Sequence, residues 1–122
     1  MKKRWLWMIV IIFLFTGCGK VKIASISASE VYDHLDDGTY VILDVRRQYE
    51  YDAGHIKNAI LLPVSDIASI VEMGYEKDQK IVVYCRTGHR SHEAAEKLNK
   101  LGYTKVYDLG GILDWPYEVV TE

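Results

Sequence analysis

Cysteine is scarce in this chain: 122 residues hold two, Cys18 and Cys85. A long apolar run is also missing. The longest, Trp5 to Phe15, has 11 residues, well short of the roughly 20 that a membrane-spanning helix needs. Basic residues give no excess over acidic ones, with 15 Lys+Arg against 17 Asp+Glu. A nucleic-acid surface of the usual electrostatic kind is therefore not expected. There is no internal repeat and no low-complexity stretch, and the length suits one domain.

The amino terminus is organised differently from the rest. Lys2, Lys3 and Arg4 precede the apolar run, which ends Leu14-Phe15-Thr16-Gly17-Cys18. A positive start and a short apolar core form the pattern of a secretory signal. The small residues before Cys18 resemble the lipobox of bacterial lipoproteins, with Phe15 where an aliphatic residue is usual. That resemblance implies removal of residues 1–17, a diacylglyceryl group on the Cys18 sulfur, and residues 18–22 as a short tether. The mature protein would then sit on the outer face of the cytoplasmic membrane, anchored by lipid. The bland alternative is an ordinary signal, or a short uncleaved anchor, in which Cys18 has no special part. With residues 1–17 removed, 12 basic and 17 acidic side chains remain, a net charge of about −5. If Cys18 carries lipid, Cys85 has no disulfide partner. A lone thiol in an exported protein is a candidate reactive group, although a buried inert cysteine is common.

Residues 23–122 alternate strand and helix signals. Val21 to Ile26 predicts a first strand. Ser27-Ala28-Ser29-Glu30 has capping-box spacing and predicts a helix through Leu35, stopping near Gly38. Tyr40 to Val45 and Lys80 to Tyr84 are the uninterrupted β-rich apolar runs of strands covered on both faces. Ala59 to Leu62 predicts a shorter strand ended by Pro63. Ser65-Asp66 predicts the start of a helix carrying Ile67, Ile70 and Val71, with Gly74 at its end. Ser91 to Leu101 predicts a helix with Ala94, Ala95 and Leu98 inward and Gly102 as its stop. Lys105 to Tyr107 predicts the last strand. The expected fold is α/β: a doubly wound, open parallel sheet of about five strands with helices on both faces. Ligands in such sheets sit at the carboxyl ends of the strands.

The stretch KIVVY-CRTGHRS puts chemistry at that place. Cys85 follows a buried strand and precedes a helix expected to begin at Ser91. Loop amides and the helix dipole favour negative charge there. Arg86, His89 and Arg90 add cationic neighbours, which favour the nucleophilic thiolate. Gly88 permits backbone angles that turn amides inward as an anion nest. Singly, the arginines fit solvated surface charges, Gly88 an ordinary turn and His89 an idle exposed group. Together they point to a reactive sulfur anion, expected to be exposed at a strand-to-helix junction.

Cys85-Arg86-Thr87-Gly88-His89-Arg90 resembles the Cys-Arg-x-Gly-x-Arg loop of the rhodanese family. Asp44-Val45-Arg46, Glu50-Tyr51 and Gly54-His55-Ile56-Lys57-Asn58-Ala59 are similar to a second signature, and Gly110-Gly111 with Trp115 to a third. The resemblance implies a sulfurtransferase. Cys85 takes a sulfane sulfur from thiosulfate or a similar anion and passes it, as a persulfide, to a thiol or other nucleophile. Arg86 and Arg90 would attract the donor, with Thr87, Gly88 and His89 completing the loop. Asp44, Arg46, Glu50 and His55 are expected to support it, Glu50 by pairing with Arg46 or Arg90, and Trp115 to pack. No metal and no organic cofactor are implied, and nothing demands more than a monomer. The related phosphatases use a loop one residue longer than the four residues that separate Cys85 from Arg90 here. Arsenate reduction usually wants a partner thiol. A redox-sensing, sulfur-carrying or binding role without turnover is the alternative from another class.

Overall fold

The computed structural model describes residues 22–122. The expected signal segment and Cys18 lie outside them. Among the described residues, no helix is long and apolar enough to cross a membrane.

Five strands form one sheet: β1 (Ala24–Ser25), β2 (Val41–Asp44), β3 (Ile60–Leu61), β4 (Lys80–Cys85) and β5 (Lys105–Gly111), ordered β1-β5-β4-β2-β3. Every pairing is parallel. Among the described residues the α-helices are α1 (Ala28–Asp33), α2 (Gln48–Ala53) and α3 (His89–Lys100). Two 3-10 helices, Val64–Met73 and Ile112–Asp114, complete the elements.

The centre of the sheet is β4, whose alternating side chains divide the core in two. Ile81, Val83 and Cys85 point to one face, where Ile67 and Ile70 of the long 3-10 helix and Ala94, Ala95 and Leu98 of α3 cover them. Val82 and Tyr84 point to the other, beneath Val31 of α1, Ile56 and Trp115. All five residues from Ile81 to Cys85 are buried, as a strand covered on both faces must be. Period-two alternation thus assigns Cys85 to the α3 face before any loop geometry is considered. Trp115 is a packing residue, in edge contact with Tyr32 and Tyr117.

Element boundaries differ from the sequence reading in instructive ways. The Ser27 hydroxyl accepts from the Glu30 amide at 3.1 Å and starts α1 as expected, but the helix ends at Asp33. The segment after Pro63 is a 3-10 helix rather than an α-helix. Its three-residue repeat buries Ile67 and Ile70 and turns Val71 outward, 48% exposed. The last strand runs four residues beyond Tyr107, to Gly111. It does so through a register shift between Val83↔Asp108 and Tyr84↔Gly110, a bulge that bends the strand under the loop after β4.

The candidate active site

The loop after β4 is shorter than expected, because α3 begins at His89 and not at Ser91. Gly88 precedes it with φ 109°, a left-handed value that residues with a Cβ rarely adopt. This turn brings the start of α3 back over Cys85. The Gly88 amide donates to Cys85 Sγ at 3.0 Å and the Ser91 amide at 3.3 Å. The first amides of a helix have no intrahelical acceptor; here two that open α3 are aimed at sulfur. They stabilise negative charge on Sγ, and the aligned peptide dipoles of a twelve-residue helix reinforce them.

Cys85 is 1% exposed. The expectation of an exposed sulfur is therefore corrected: Sγ forms the floor of the cradle. The physical reason is the inward period of β4 together with the early start of α3, which roofs the thiol. Exposed Arg86, Thr87 and His89 form the rim.

Arg90 does not stand free. Its Nη1 and Nη2 donate to Glu50 Oε1 and Oε2 at 2.8 and 3.0 Å, a bidentate ion pair. Of the two expected partners for Glu50, the structure selects Arg90. Of the two arginines expected to draw an anion, only Arg86 presents its charge openly. The Glu50 carboxyl is held down at about 2: the Arg90 hydrogen bonds outweigh burial, and the Arg47 amide and the charges of Arg90 and Arg46 add to the effect. A carboxyl depressed in the folded state stabilises the fold fully above its ordinary value of 4.5 and loses that contribution as pH falls through about 2. Acid unfolding followed by circular dichroism is expected to be less steep in Glu50→Gln than in the parent chain between these limits. Equal slopes would show that the pair does not form.

A second network fixes α2, the helix that carries Glu50. Asp44 is fully buried. It accepts from Arg46 Nε and Nη2 at 2.9 and 2.7 Å, from the Arg46 amide at 3.0 Å, and from the Tyr84 hydroxyl at 2.7 Å. Arg46 Nη2 also donates to Gly54 O at 2.7 Å, capping the end of α2. The Tyr84 hydroxyl accepts from the Ile56 amide at 3.0 Å. Asp44 and Arg46 thus act on the loop through Gly54, α2 and Glu50. The His55 ring stacks on Tyr51 with centroids 3.7 Å apart, and its Nδ1 lies 2.9 Å from Tyr51 O. Its backbone pairs with Val120 in both directions at 2.8 Å. His55 ties its own turn to α2 and to the carboxyl-terminal segment.

Asp108 escaped the sequence reading, and Ser91 was read only as the residue that follows the loop and starts the helix. The Ser91 hydroxyl donates to Asp108 Oδ1 at 2.7 Å, and the same oxygen accepts from the Gly110 amide at 2.9 Å. Asp108 therefore locks the first turn of α3 to the bulge in β5. No motif announces it, since the bulge that exposes its carboxylate depends on pairing with β4. The helix α2 was missed too. It buries no residue, so no apolar period marks it.

Among the described residues, a parallel α/β sheet carries a single cysteine, cradled by amides at the end of its central strand. The model of the rhodanese-like domain matches residues 27–117, and the chain belongs to that family. A rhodanese-related protein from Thermoplasma volcanium is 37% identical, with a TM-score of 0.70, over 81% of this chain and 99% of its own. A human single-domain sulfurtransferase is 26% identical, with a TM-score of 0.66, over 74% of this chain and 91% of its own. Among curated relatives, a tRNA uridine(34) hydroxylase from an Enterobacter species is 38% identical over 96 residues. The match covers 74% of this chain but only 28% of that protein.

Proposed function

We propose that the protein is a sulfurtransferase that moves a sulfane sulfur from thiosulfate or a similar anion, through a Cys85 persulfide, to a thiol. The observation that carries this reading is the pair of amides, Gly88 and Ser91, directed at Cys85 Sγ. In the loading step Sγ attacks the outer sulfur of thiosulfate, a new S–S bond forms, and the S–S bond within thiosulfate breaks. Sulfite leaves with the electron pair. In the unloading step the acceptor sulfur bonds the outer sulfur, the bond to Sγ breaks, and the pair returns to Sγ. The acceptor's proton ends on the new persulfide. The two halves make a covalent, ping-pong cycle, in which preorganised amides hold the charge that returns to Sγ. Arg86 draws the anionic donor, and Arg90, fixed by Glu50, holds the loop in shape.

The amino-terminal segment supports a place for the reaction outside the cytoplasm, with lipid on Cys18 as the anchor. Incorporation of a labelled lipid precursor, lost in Cys18→Ala, is the expected result. Hydroxylation of tRNA, the activity named for relatives of which the match covers only 28%, gains no support from a domain with an acidic balance. The four residues between Cys85 and Arg90 favour sulfur transfer over a phosphatase, whose loop is longer.

Thiosulfate is expected to add one sulfur atom to the intact mass of the chain. Thiocyanate is then expected to form on addition of cyanide. Cys85→Ser loses both. Absence of any adduct with several sulfane donors would leave the sensing reading in place of turnover.

A further inference from the structure

Among the described residues, the two most exposed large apolar side chains are Tyr49, at 67%, and Leu113, at 61%; the next, Val71, reaches 48%. Both border the active loop. Tyr49 precedes Glu50, which grips Arg90. Leu113 donates its amide to Arg86 O at 3.3 Å. Arg86, Thr87 and His89 of the same loop region are exposed too.

The charge at this end is equally specific. All four arginines of residues 22–122 lie close behind β2 or β4: Arg46 and Arg47 on the loop after β2, Arg86 on the loop after β4, and Arg90 in the first turn of α3. Arg46 and Arg90 are paired with Asp44 and Glu50, whereas Arg47 and Arg86 point to solvent. Two acids also lie nearby, Asp52 on α2 and Asp114 beside Leu113; Asp52 is engaged by Gln48 at 2.9 Å. The exposed cations of this end stand out on a chain whose overall balance is acidic.

Isolated exposed apolar residues need no explanation. Two that exceed all others and flank one reactive sulfur do, because exposed apolar groups beside charged ones mark contact surfaces, and tyrosine is a frequent anchor in them. A small sulfane anion has no use for either side chain. We propose that this rim docks an acidic, cysteine-bearing segment of a partner protein, which accepts the sulfur from Cys85. The inference rests on the sulfurtransferase reading and names its acceptor. Cys85 is 1% exposed, so the acceptor sulfur must come to the outer atom of the persulfide, which a thiol on a protruding segment can do. Tyr49 and Leu113 would grip apolar residues beside it, and Arg47 and Arg86 its carboxylates. The transfer step is the unloading step already written, with the partner's thiol as the acceptor, and needs no external oxidant.

The test uses the full chain, loaded with thiosulfate, and a synthetic peptide whose single cysteine is flanked by aspartate and phenylalanine. Discharge to this peptide is expected to exceed discharge to its lysine-for-aspartate counterpart. In the double variant Tyr49→Ser, Leu113→Ser, discharge to the acidic peptide is expected to fall about tenfold, while discharge to cyanide stays within about twofold. Equal rates for the two peptides, or equal losses toward peptide and cyanide, would overturn the inference. Fluorescence anisotropy provides a readout independent of loading, with the peptide cysteine replaced by serine and the unloaded chain as receptor. Binding of the acidic peptide that weakens in the double variant supports the surface, and unchanged or absent binding refutes it. A chain that never acquires sulfur contradicts the sulfurtransferase reading instead, and the anisotropy result still decides whether the rim binds.

Discussion

Gly111→Ala is expected to slow sulfur loading of Cys85 by roughly a hundredfold while leaving the protein folded. A Cβ at this position would meet Arg86 O, and would stand 2.7 Å from Thr87 Cα and 2.9 Å from Arg86 C. All three are backbone atoms of the active loop and cannot rotate aside. The Gly111 backbone is extended, at φ −112° and ψ 142°, so conformation alone would admit alanine. What requires glycine is the contact. The loop must lift by a large part of an ångström, and the amides of Gly88 and Ser91 then lose their aim at Sγ. Overpacking of this kind costs about 1–3 kcal/mol, so the thermal midpoint should fall modestly while the loading rate collapses. Stopped-flow loading with thiosulfate, beside a melting curve, checks both. A loading rate near that of the parent chain would mean that the loop tolerates displacement and that the cradle geometry is not what activates the sulfur.

Arg46→Ala is expected to destabilise the fold by about 3–5 kcal/mol, because it leaves the Asp44 charge buried without its counterion. The loss should appear as a lower urea midpoint. Partial rescue distinguishes this cause from lost packing. Adding Asp44→Asn removes the stranded charge and keeps an acceptor for the Tyr84 hydroxyl, so the double variant should recover about 1 kcal/mol or more relative to Arg46→Ala. A double variant no more stable than Arg46→Ala would assign the effect to packing or to the freed end of α2, since Arg46 also donates to Gly54 O.

Much of the fold was legible because its signals are local. Uninterrupted β-rich runs marked β2 and β4 as central strands, Ser27 marked the start of α1, and the Ala94-Ala95-Leu98 stripe marked α3. The five parallel strands agree with the order of these signals. Three features were illegible, the first two because they depend on partners distant in sequence. Helix α2 has no fully buried residue and is tied down through Arg90 and Arg46, 40 residues after Glu50 and eight before Gly54. The bulge in β5 arises from pairing with β4, and Asp108 becomes a site residue only through it. The depth of Cys85 follows from strand period and helix start together, and a two-residue error in the start of α3 turned a roofed sulfur into an exposed one.

That depth has a consequence for selectivity. A bare Sγ recessed among core side chains is screened from bulky oxidants and alkylating agents, which cannot follow a slim anion down to it. An added sulfur atom would project one bond farther toward the rim. On the proposed function, reactivity toward large partners would belong to the cargo and not to the carrier, because only the added sulfur would offer them an atom to attack.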